Sequence, residues 1–78
     1  ITVGRVGMDL FSQNIGKPFV EIEGFETGVG GSPSNIAIGS SRLGLTVGLL
    51  TAVSPDPVGN FVLYHLAKEG IDTSFVQR

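Results

Sequence analysis

Nine consecutive residues from Leu45 to Val53 (LTVGLLTAV) carry no charge. A run so short cannot span a membrane, and it does not divide into a wet and a dry face, so it predicts a strand covered on both sides. Such strands sit centrally in parallel sheets, where each connection to the next strand needs a crossover, usually a helix. The flanking sequence supplies two. Ser32-Pro33 suits an N-cap followed by the first helical residue and Gly44 stands past the end, which predicts a helix over about 33–43. Ile36, Ser40 and Leu43 make its expected inward face, while the small Ala37, Gly39 and Ser41 permit close approach to a sheet. Asp56-Pro57 repeats the start signal and Gly70 the stop, with Val58, Phe61, Val62 and Leu66 at helical spacing between them.

The remaining segments complete an alternation of β and α. Ile1 to Leu10 reads as a first strand, parallel to the central one, that presents Asp9 at its C-terminal end, and Ile71 to Val76 reads as a further strand. After the first strand, Ser12, Gln13, Asn14 and Gly16 give turn chemistry. Lys17 to Glu23 then alternates, Val20 and Ile22 against Glu21 and Glu23, as in the half-exposed strand of a small flap. Gly24 to Asn35 reads as a glycine-rich loop, with Gly30 and Gly31 adjacent where the backbone turns sharply or something approaches closely. The order predicts an α/β fold built on a parallel sheet.

Composition narrows the function. Five basic residues against seven acidic ones leave a net charge of −2 over 78 residues, with no basic field for a nucleic-acid backbone. Cysteine is absent and histidine occurs once, which excludes thiolate and histidine-cluster metal sites. No apolar stretch suits a membrane span or a secretion signal, so the expected setting is cytoplasmic with no membrane partner. Only 15% of residues are charged, and mean hydropathy is +0.32. That interior-rich balance predicts part of a larger domain.

Ligands of open α/β sheets collect at the carboxyl ends of the strands, where Asp9 and the glycine-rich loop are expected to converge. A carboxylate accepts hydrogen bonds from two vicinal hydroxyls, the Asn35 amide both donates and accepts, and Gly30 and Gly31 keep side chains away from a ligand. This set suits a polyol; alternatively Asp9 caps a turn and Asn35 bonds its own loop. Gly28-Val29-Gly30-Gly31-Ser32-Pro33 is no dinucleotide fingerprint, because proline holds the third glycine position, and no Lys-Ser or Lys-Thr makes a Walker loop. His65, mid-helix, is given no role. Arg5 either meets an anionic substrate or pairs with an acidic side chain.

The run Gly30-Gly31-Ser32-Pro33-Ser34-Asn35, followed by Ala37 and Gly44, resembles the N-terminal signature of the ribokinase-like carbohydrate kinases, the PfkB family. Gly4-Arg5-Val6-Gly7-Met8-Asp9 is similar to that family's first strand with its substrate aspartate, and the opening is most similar to the family's inositol-catabolism branch. Pro55-Asp56-Pro57-Val58-Gly59 through Gly70-Ile71-Asp72-Thr73 is similar to its second helix and next strand. The resemblance spans the chain and implies a partial αβα sandwich over 1–78, with a small β lid at about 11–28 inserted after the first strand.

It implies more about function. As part of a full-length enzyme, the segment would belong to an ATP-dependent kinase that transfers the γ-phosphate to a sugar or sugar-acid hydroxyl. Asp9 and Asn35 would bind hydroxyls, Gly30 and Gly31 would line the pocket floor, and the lid would close over it and could pair two copies as a homodimer. ATP and Mg2+, with a monovalent cation as a further candidate, would be held by other parts of the protein. The family's general base ends a Gly-Ala-Gly-Asp stretch, and neither Asp9, Asp56 nor Asp72 follows such a run. No catalytic residue is therefore assigned within 1–78, and the segment alone is expected to be inactive. The competing expectation is a non-catalytic sugar-binding or regulatory module of the same fold.

Overall fold

The computed structural model describes residues 1–78. Its strands are β1 (Thr2–Val3), β2 (Gly7–Ser12), β3 (Phe25–Gly30), β4 (Leu49–Ala52) and β5 (Val76–Gln77), and its helices are α1 (Ser32–Arg42) and α2 (Pro57–Lys68). A parallel sheet runs in the order β1-β4-β5, while β2 and β3 form a separate antiparallel ribbon. As the apolar run predicts, β4 is the central strand and lies parallel to the first.

Both helices stop in the same way. Gly44 and Gly70 take positive φ (96° and 79°) just past the caps, and the next residue reaches back five positions: Leu45 N–H donates to the Ser40 carbonyl and Ile71 N–H to that of Leu66, both at 3.1 Å. This Schellman closure carries Leu66 and Ile71 together into the core, which also holds Ala37, Val47, Leu49 and Val62. The Arg42 guanidinium forks onto the Glu69 carboxylate, and Ser41 Oγ donates to the Glu69 carbonyl at 2.7 Å, tying the two C-terminal ends together.

The core shows where pattern reading goes astray. Ser34 and Ala37 are the buried residues of α1, whereas Ile36 and Leu43 are 59% and 86% exposed. The helix approaches β1 and β4 through its small residues, so the bulky positions face outward. The central strand is covered on one face only: Leu49 is fully buried, while Leu50 next to it is 42% exposed and Val3 beside it 64%.

Four segments depart from expectation. The first strand is not continuous to Leu10, because Gly4 (φ 136°) ends β1 and lets the Pro33 ring pack where a side chain would stand, at 2.8 Å from its Cγ. Lys17 to Glu23 forms no strand. Pro18 fixes its own φ and its carbonyl accepts from Glu21 N–H at 2.9 Å, giving a 3₁₀ turn over Phe19–Glu21 that leaves Val20 90% exposed. The glycine-rich stretch is chiefly strand β3, so the paired ribbon runs over 7–12 and 25–30, wider than the 11–28 expected for the flap. Beyond α2, only Val76–Gln77 is strand, after a single bridge between Asp72 and Gly48.

Candidate functional site

Cross-strand register sorts the ribbon into two faces. Met8 pairs with Val29, and both pack against the core. The alternating pairs Gly7 with Gly30 and Asp9 with Gly28 turn the other way. Three of those four positions have no side chain, so this part of the face is bare backbone carrying the Asp9 carboxylate, with the Phe11 ring against Gly28 and Glu26 opposite Phe11 further along. Asp9 leans diagonally over Gly30, where a Cβ would overlap the carboxylate oxygens. Asp9 therefore lies within the ribbon rather than at the end of a core strand, as expected from the sequence, because the break at Gly4 moves it into the second strand.

The joint between β3 and α1 lies beside it. Gly31 takes φ 106°, and a Cβ there would stand 2.5 Å from the Arg5 carbonyl oxygen, so the strand can turn into the helix only with glycine. The helix is capped by Gly31 rather than by Ser32, and the Ser32 side chain makes no capping bond. Ser34, fully buried, shares its hydroxyl proton between the Gly30 carbonyl (2.7 Å) and that of Gly31 (2.8 Å). Thr2 Oγ1 donates to the Pro33 carbonyl at 2.9 Å. Together these bonds fix the helix start against the ribbon and β1.

Asn35 sits exposed in the first turn of α1, its backbone N–H bonded to the Gly31 carbonyl at 2.9 Å. No side-chain hydrogen bond within the chain involves Asp9 or Asn35. Neither side chain is thus engaged as a local cap, and both keep their full donor and acceptor capacity for a ligand. Gly30 is the bare seat beneath the Asp9 carboxylate and Gly31 is the hinge of the joint. His65 is remote in role: it packs on the Phe61 ring at 4.4 Å between centroids. Sequence reasoning passed over Ser34, Thr2 and the bare-face glycines Gly7 and Gly28. The spacing of Gly28 and Gly30 was the available signal, since period two fits a strand as well as a loop.

The model of the pfkB family of carbohydrate kinases matches residues 2–78. The chain belongs to that family. Among this pfkB protein's curated relatives, the 5-dehydro-2-deoxygluconokinase of Clostridium tetani is 47% identical over 78 residues, covering 100% of this chain and 23% of the relative. The enzyme of the same name from Geobacillus thermodenitrificans is 46% identical over 76 residues, covering 97% and 23%. The chain thus spans about a quarter of the length of these relatives. The fold agrees: a PfkB protein from a Polaromonas species matches with a TM-score of 0.90 at 37% identity, over 97% of this chain and 25% of that one. A sugar kinase from Pyrococcus horikoshii, solved in complex with ATP, matches at 0.89 and 36% identity, also over 97% and 25%.

Proposed function

We propose that these residues form the acceptor-binding part of an ATP-dependent carbohydrate kinase whose acceptor is a sugar acid of the 5-dehydro-2-deoxygluconate kind. The observation that carries this reading is the unpartnered Asp9 carboxylate over the bare seat at Gly30, in a chain 43–47% identical to kinases named for that substrate. Asp9 accepts hydrogen bonds from two neighbouring hydroxyls and so fixes how the sugar lies. Asn35 binds a further hydroxyl at the helix start. Gly30 leaves room for the Asp9 carboxylate and Gly31 sets the joint beside it, and the ribbon acts as a lid that limits water at the acceptor during transfer.

The segment itself does not fit a nucleotide or a metal. No three His, Cys, Asp or Glu side chains group together, and the glycine-rich joint is taken up by the Arg5 backbone and the helix start. ATP, Mg2+ and any monovalent cation are assigned to other parts of the protein, and the role of phosphoryl transfer in inositol catabolism, in the cytoplasm, follows from the same reading. Leu10, Phe11 and Phe25, all exposed on the ribbon, favour pairing of two lids as a homodimer, which Leu10→Glu would dissociate in light scattering if the lid is the interface.

The direct test is sugar-dependent ADP release by the full-length protein, offered 5-dehydro-2-deoxygluconate, 2-dehydro-3-deoxygluconate or fructose. Preference for the first by at least tenfold in kcat/KM is expected. Preference for fructose would reject the acid, and no transfer to any acceptor would favour a non-catalytic sugar-binding module.

A further inference from the structure

We propose that Arg5 is the residue that recognises the acceptor's carboxylate, setting both the preference for an acid and the direction in which it lies. This rests on the acceptor being a sugar acid. The chain holds five basic residues. Arg42 is forked onto Glu69, and Arg78 is bonded to Asn60 Oδ1 at 2.6 Å. Arg5 is exposed, and neither an ion pair nor a side-chain hydrogen bond engages its guanidinium, so the structural role of pairing with an acidic side chain is not realised.

Its position is tied to the site. The Arg5 carbonyl oxygen and the Val6 Cα are the backbone atoms against which Gly31 packs, at the joint that also seats Asp9. Val6 and Met8 turn to the core, whereas Arg5, two residues ahead of β2, is exposed at the joint where the Gly7–Asp9 face begins. Three residues lie between Arg5 and Asp9, so their Cα atoms are at most roughly 13 Å apart. The two side chains can therefore hold opposite ends of a six-carbon chain. Asp9 attracts hydroxyl protons and repels a carboxylate, whereas a planar guanidinium offers a matched fork of donors to one. An acid lying on this face is oriented by both terms: its carboxylate end at Arg5 and its diol at Asp9.

The test uses the full-length enzyme and its Arg5→Gln and Arg5→Lys variants. For Arg5→Gln, KM for 5-dehydro-2-deoxygluconate should rise about 10- to 100-fold, with KM for ATP and the thermal melt unchanged. Arg5→Lys, which keeps the charge but loses the fork, should lie between. Calorimetric binding of the same sugar with its carboxylate reduced to an alcohol should be equal in wild type and Arg5→Gln, which a merely structural arginine would not produce. An unchanged KM for the acid, or equal losses for acid and alcohol, would overturn the role of Arg5 while leaving the sugar-acid reading intact. A wild-type enzyme that does not use the acid at all would overturn both.

Discussion

Adjacent glycines at the joint do different work. Gly30 is needed for the space that Asp9 occupies, Gly31 for its left-handed φ and for the Arg5 carbonyl against it. Gly30→Ala in the full-length enzyme should displace the carboxylate, raising the acceptor KM at least tenfold with a small change in melting temperature. Gly31→Ala should instead unsettle the fold itself, by roughly 1–3 kcal/mol in denaturant titration, because a non-glycine residue is strained at that φ. Equal effects of the two changes on KM and stability would contradict this division. These residues were legible because glycine, aspartate and asparagine advertise unusual backbone or unusual polarity. Ser34 and Thr2 were not, since their partners are backbone carbonyls, one of them 31 residues away, and a serine or threonine carries no mark of such a bond.

Helix ends were the most readable elements, for they depend on local chemistry. Asp56 caps α2 as its sequence predicts, accepting from Gly59 N–H at 2.9 Å and from Ser54 Oγ at 2.6 Å. The Ser54 hydroxyl first, then the Gly59 N–H, hold its carboxyl below the usual carboxylate range. A group whose folded value is depressed stabilises fully above its unfolded value, about 3.9, and loses that contribution as pH falls through the folded one. Melting temperature should therefore fall less steeply on acidification below pH 4 in Asp56→Asn than in wild type; parallel pH profiles would show that the cap does not titrate as described. Ribbon elements were harder to read. Pairing of β2 with β3 joins residues up to 23 apart, and nothing local to Phe25–Gly30 distinguishes a strand from a loop once glycines replace its outward side chains.

At the scale of the molecule, the alternation of strand and helix predicts a parallel sheet, and the observed order is β1-β4-β5, yet only the face that carries Leu49 is covered. Ile1, Val3, Leu50 and Phe75 are each more than 40% exposed, and the Cα radius of gyration of 14.0 Å exceeds the value near ~11.5 Å expected for a compact chain of this length. Purified alone, residues 1–78 should bind a hydrophobic dye, melt without a sharp transition and release no ADP; a cooperative melt with dispersed amide resonances would show an independently stable unit. The central claim, that Asp9 serves the acceptor rather than the fold, is tested most directly by Asp9→Asn in the full-length enzyme. Loss of its charge-assisted bonds should raise the acceptor KM and lower kcat on the order of 10²-fold, while ATP affinity and melting temperature stay at wild-type values. A variant that melts several degrees lower yet keeps its acceptor KM and kcat would contradict the account, because Asp9 would then be a structural residue of the ribbon.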